Sequence, residues 1–148
     1  MSIFGINTNS TIKSIIEGEA DGVIKNYLVL PSPKKELDQL VKIASKLHHN
    51  GISPYIRVKY DWEYGQRARV LDIVGCSGEV IHILKKTSIN MFDKHAYDLE
   101  RIKNSLMNTF SLPNHNIKTA LVFIDNSNRE EIDSKMKKLD INIEHFII

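Results

Sequence analysis

The chain has one cysteine, Cys76, which excludes an intramolecular disulfide framework and any cysteine-rich zinc site and fits a reducing cell interior. Neither sign of charge dominates. Twenty Lys and Arg stand against 18 Asp and Glu, a formal net charge of +2, so this is no polybasic nucleic-acid coat. Any surface for a polyanion must come from local segregation of charge. No apolar run approaches the roughly 20 residues needed to span a bilayer, and the first residues lack a basic start followed by an apolar core. The expectation is a soluble, cytoplasmic protein. Internal repeats, low-complexity tracts, a phosphate-cradling glycine loop and a nucleophile elbow are also missing.

The 148 residues, 42% of them hydrophobic, suffice for one cored domain and are too few for two comfortable ones. Residues 1–148 therefore read as a single domain, with 1–31 as an extension and 32–148 as the core. Within the extension, 11–17 reads as a short helix, 18–22 as a turn and 27–30 as a strand or extended lead-in.

Leu37, Leu40, Val41, Ala44 and Leu47 recur at three- and four-residue spacing, which predicts a helix over 34–49. Ser32 is placed to cap it, Pro33 falls in its first turn and Gly51 lies just past its end. Residues 55–63 then alternate Ile56, Val58, Tyr60 and Trp62 with Arg57, Lys59, Asp61 and Glu63, the period of a strand with one buried face. Two β-branched-rich runs, 70–74 and 80–84, flank Gly75, Cys76, Ser77 and Gly78, a hairpin signal that also puts Cys76 in or beside a turn. Phe92, Ala96, Leu99, Ile102, Leu106 and Phe110 form a helical stripe, and 119–124 is an apolar run of strand length, so a crossover to a parallel strand is implied. A short helix over 128–139 and an edge strand within 141–148 complete the order.

The hairpin carries the chemistry. With Ser77 and Gly78 as turn residues, Cys76 pairs with Glu79 and Asp72 with Ile83; moving the turn back one residue pairs Asp72 with Ile81. In both registers Asp72 shares a face with Ile83 and Lys85, whereas His82 points the other way with Leu84. An aspartate in an apolar strand is equally the mark of a strand end or solvated edge. Arg67, Arg69 and Lys86, with Arg57 and Lys59, form a basic surround suited to phosphate contact or to a solvated edge. His48 and His49 are neighbours and point about 100 degrees apart on a helix, whereas a ligand pair wants spacing of three or four.

This order of helix, three antiparallel strands, helix and further strand, with an acid and a lysine on its hairpin, resembles the PD-(D/E)xK nuclease superfamily from about residue 32 onward. The resemblance implies an α/β, restriction-endonuclease-like fold, a central mixed β-sheet flanked by helices. It also implies a magnesium-dependent nuclease that hydrolyses phosphodiester bonds in DNA and works as a homodimer, the edge strand at 141–148 serving for pairing. The family's metal-binding aspartate corresponds to Asp72 and the lysine that ends its (D/E)xK element to Lys85. The acid two residues before that lysine is replaced by Ile83, which leaves the motif one carboxylate short. A substitute must come from elsewhere: Glu79 on the second hairpin strand, Glu63 at the end of the first strand, or Glu36 in the first helical turn, where the dipole favours an acid in any case. Catalysis is thus expected of Asp72, Lys85 and Glu36, metal binding of Asp72 with Glu79, and strand contact of Arg67, Arg69 and Lys86. The alternative is an inactive relative that binds nucleic acid or protein.

Overall fold

The computed structural model describes residues 2–3, 6–7, 34–60, 69–124 and 128–148; along 2–3, 6–7, 34–38, 57–60 and 69–70, and at 41, 109 and 110, only the backbone course is described. Two-residue strands β1 (Ser2–Ile3) and β2 (Ile6–Asn7) pair with each other. Helix α1 (Lys34–His49) leads into strands β3 (Ser53–Tyr60), β4 (Arg69–Ser77) and β5 (Val80–Thr87). Helix α2 (Phe92–Phe110), strand β6 (Ile117–Phe123), helix α3 (Arg129–Lys137) and strand β7 (Glu144–Ile147) follow. The five longer strands lie side by side in chain order, β3, β4 and β5 antiparallel and β5, β6 and β7 parallel. This is a mixed-sheet α/β fold, as the element order predicts.

Local chemistry sets the element ends. Gly51, at φ +77, takes the left-handed position beyond α1, where its amide reaches His48 O and that of Ile52 reaches Leu47 O, closing the helix carbonyls in a Schellman pattern. At α3 the Asn128 side chain accepts the Glu131 amide at 3.0 Å, one of the donors a helix start leaves unpaired.

Alternation along the strands makes two cores. Val74 and Cys76 of β4, Ile81 and Ile83 of β5, and Ile117, Leu121 and Phe123 of β6 share one face with Ala96, Leu99, Ile102 and Leu106 of α2 and Ile132 and Met136 of α3. On the opposite face Ile56, Ile73, Leu84, Ala120 and Val122 meet Leu40, Ile43, Ala44 and Leu47 of α1. Gly75 serves the second contact: a Cβ there would lie 2.6 Å from Ile52 Cγ2, so the α1 to β3 connection packs against bare backbone.

The hairpin register departs from both sequence alternatives. Ser77 pairs with Val80, which leaves Gly78 and Glu79 as the turn, with Gly78 at φ +58. A two-residue hairpin turn needs a positive φ at its first central position, and glycine supplies it with least strain. Cys76 is consequently in the strand, paired with Ile81 and buried, rather than in the turn. The readings for 11–30, Ser32, Pro33, Trp62, Glu63 and Arg67 lie outside the described residues. No helix among the described residues is long and apolar enough to cross a membrane.

Candidate functional site

The β4 to β5 ladder runs from Ser77↔Val80 to Ile73↔Leu84, and Asp72 and Lys85 are the next residues of the two strands. Both are half-buried, with Ile83 before Lys85 and Thr87 after it on the same alternating face. Asp72 Oδ2 accepts the backbone N–H of Lys86 at 3.2 Å, so the carboxylate continues the ladder where backbone pairing stops. That bond gives Asp72 a structural task in addition to any chemical one.

Helix α2 brings the rest of the cluster. Thr87 is buried, and its Oγ1 lies 2.8 Å from His95 Nδ1, in the helix's first turn. Burial lowers the His95 pKa below the ordinary imidazole value, and Lys85 lowers it further; Asp98 and Asp72 oppose this, and Lys94 adds a smaller lowering. Strand ends and helix start thus assemble Asp72, Lys85, Thr87, His95 and Asp98.

The other expected site residues are placed as follows. Ile83 is 0% exposed in the core beneath α2, so the position of the missing acid is a packing position. Glu79 is an exposed turn residue. Five strand steps separate Asp72 from Ser77, before the turn begins, or roughly 17 Å at about 3.3 Å per residue. Asp72 and Glu79 therefore do not share one ion, which corrects the pairing expected of them. The one-residue difference in turn position carried Glu79 off the strand.

Lys86 points to the α1 face and donates from Nζ to Gln39 Oε1 at 3.0 Å, so it ties sheet to helix instead of standing free toward a phosphate. Glu36 lies three residues before Gln39 in α1, which places its backbone about one turn beyond the Lys86 contact and toward the same end of β5. Arg69 opens β4, its backbone paired with Tyr60. Arg67 and Glu63 lie outside the described residues.

Magnesium takes hard oxygen ligands in octahedral geometry, so the donor set decides whether it fits. Asp72 supplies one carboxylate, whereas Glu36 belongs to α1, the helix that covers the opposite face of the sheet from α2. Among the described residues no three His, Cys, Asp or Glu side chains converge on one point.

Sequence reasoning passed over Thr87, His95 and Asp98. His95 and Asp98 are spaced three apart beside the apolar stripe of α2, a signal present in the sequence but eclipsed by the stripe itself. His82 faces away from Asp72 as expected, half-buried with Nε2 3.0 Å from Ser77 Oγ, and its pKa is lowered by burial and then by Lys118, with Glu144 opposing. His49 Nδ1 lies 2.7 Å from Ser45 O, a helix-end contact. Burial pushes the Cys76 thiol up to about 12, which leaves it neutral and inert at ordinary pH. A separate cleft of about 340 Å³, lined in part by Lys46, Leu84, Val122, Asp133 and His145, does not include Asp72, Lys85 or His95. Its His145 ring is held by Asp133 at 2.8 Å and meets the Phe123 ring edge-on.

No family model matches the chain, and no curated protein sequence matches it. Among solved structures it is similar to protein VC1899 from Vibrio cholerae, at 17% identity and TM-score 0.44, over 76% of this chain and 27% of that one. The chain spans about a quarter of that protein's length, and at this level of similarity the match carries no functional argument.

Proposed function

We propose that the protein is a nuclease that hydrolyses phosphodiester bonds in DNA, with the site at the start of β4, the end of β5 and the first turns of α2. What supports this reading above all is that Asp72 and Lys85 come together on adjacent strands just past the Ile73↔Leu84 pair, the acid and lysine of the motif the sequence resembles. Asp72 would give magnesium one carboxylate, and the ion when bound would supply an activated water and neutralise phosphate charge; Glu36, the second acid the resemblance suggests, sits on the helix across the sheet. Lys85 places its ammonium beside the scissile phosphate and offsets the charge that builds on its oxygens in the transition state. Arg69, at the mouth of the hairpin, contributes to gripping the backbone of the strand, and the proposed role of Arg67 is the same. Edge strand β7, at one end of the sheet order, is the proposed pairing surface of a homodimer that cuts both strands.

The test is cleavage of labelled linear, branched and single-stranded DNA, with RNA alongside, in magnesium or manganese. Cutting by the native chain that Asp72→Asn and Lys85→Ala both abolish would establish the activity; absence of cutting on every substrate would end it. One observation favours a second reading, an inactive relative that binds nucleic acid or a protein partner: Ile83 is fully buried where the family places its second acid. Under that reading DNA is bound without being cut, and the binding survives both substitutions.

A further inference from the structure

Position 83 belongs to the core, and the polar groups that replace it around Lys85 come from α2. The described cluster contains one imidazole, that of His95. Thr87 Oγ1, buried at the end of β5, holds the ring through Nδ1 at 2.8 Å. Nε2 is engaged by none of the described residues. The ring is only half-buried, so a molecule seated at Lys85 has access to it. The groups facing it are Lys85 and Asp72 from the strands and Lys94 and Asp98 from its own helix. Burial first and Lys85 second lower its pKa and favour the neutral ring, while Asp98 and Asp72 oppose them.

We propose that His95 is the proton acceptor of this site, taking through Nε2 the proton of the water that attacks the phosphorus. This rests on the nuclease reading and deepens it: a carboxylate-poor site completes its catalytic set with an imidazole from the crossover helix. In the step, the water oxygen forms a bond to phosphorus while its proton passes to His95. The bond from phosphorus to the leaving sugar oxygen breaks, and that oxygen takes a proton from solvent. The imidazolium then releases its proton to solvent, restoring the neutral ring. Thr87 is a positioning residue, since it touches the ring and not the substrate.

The experiment uses the full chain with labelled duplex DNA and magnesium, comparing the native protein with His95→Ala, His95→Gln and Lys103→Ala, the last a half-buried position outside the site. His95→Ala and His95→Gln are expected to lower kcat by at least about 100-fold, the scale of general-base catalysis, with KM changed little. Added imidazole should restore His95→Ala by at least about tenfold and leave His95→Gln unaffected, since only the alanine opens space for it. Binding of an uncleavable phosphorothioate duplex, read by fluorescence anisotropy, should be the same for native and variant chains. Native cleavage with His95→Gln retaining activity within about threefold would overturn the role of His95 and leave the nuclease reading intact. Loss of phosphorothioate binding in both His95 variants would also overturn it, because the side chain would then be holding the fold or the strand. Native chain that cuts no substrate brings down the nuclease reading itself, and the role of His95 with it.

Discussion

Asp72 and Lys86 are joined across the hairpin by a side chain to backbone bond, Oδ2 accepting the Lys86 amide at 3.2 Å one step past the last backbone pair of the β4 to β5 ladder. Asp72, the proposed metal ligand, is therefore also a structural element. Asp72→Asn keeps an acceptor oxygen and should change stability by less than about 0.5 kcal/mol, whereas Asp72→Ala leaves a half-buried amide without its partner and should cost about 1–2 kcal/mol. Urea unfolding separates the two. Cleavage, by contrast, is expected to fall alike in both, because only the carboxylate can hold a cation.

Placing at position 83 the acid that the resemblance to PD-(D/E)xK nucleases calls for should not create a site. Ile83→Asp inserts a carboxylate where the native side chain is 0% exposed, between β5 and α2. The expected result is destabilisation by about 3 kcal/mol or more and no gain in cleavage. A stable Ile83→Asp protein that cuts faster would mean the sheet opens there.

Acid should weaken the fold through two histidines. His82 and His95 both have pKa values lowered by burial, so the folded state binds fewer protons than the unfolded chain below the ordinary imidazole value of 6.5. Their contribution is complete above that pH and is lost as pH falls from it through the folded values. Thermal melting between pH 7.5 and 5 should show a drop that is reduced in the His82→Gln, His95→Gln double variant. An unchanged drop would assign acid sensitivity to other groups.

Cys76 gives the opposite sign. Its folded pKa is raised from 9.0 to about 12 by burial, so stability from the neutral thiol is present below 9 and is lost as pH rises between 9 and 12. At pH 8 the native thiol should resist a disulfide reagent, and label in step with unfolding when urea is added. Rapid labelling of the folded chain would contradict the burial.

The proposed pairing of edge strands is tested at Phe146, which is 48% exposed on β7. Sedimentation of the native chain should give a dimer, and Phe146→Glu should shift it to monomer. A native monomer at high micromolar concentration would remove the pairing.

Much of the fold was legible because local signals agreed with one another. The stripe of Leu40, Ala44 and Leu47 together with Gly51 places α1 to the residue, and the stripe from Phe92 to Phe110 places α2 to within one residue, with Met91 as the cap and not the first helical residue. The hairpin slipped by one position because Ser77-Gly78 and Gly78-Glu79 are both reasonable two-residue turns. What decides between them is where a positive φ falls, and that is settled by sheet pairing rather than by composition. Ile83 and Lys85 keep the parity expected of β5, and Asp72 and Lys85 follow the Ile73↔Leu84 pair on adjacent strands, whereas Glu79 falls in the turn. The Asp72 to Lys86 bond was not readable at all, since it depends on where the backbone ladder ends. Lys86 was read as a surface cation, and only the approach of α1 turns it toward Gln39. Thr87 and His95 are only eight residues apart and meet across the short β5 to α2 connection, whose path no residue pattern in the sequence gives.

The most direct test of the central claim is cleavage of labelled duplex and branched DNA in magnesium by the native chain and by Lys85→Ala, a half-buried position whose loss should leave the fold intact. Metal-dependent cutting by the native chain that falls by at least about 100-fold in Lys85→Ala is the expected result. Equal cutting by the two, or none by either with DNA still bound, would contradict a phosphodiesterase site at Asp72 and Lys85.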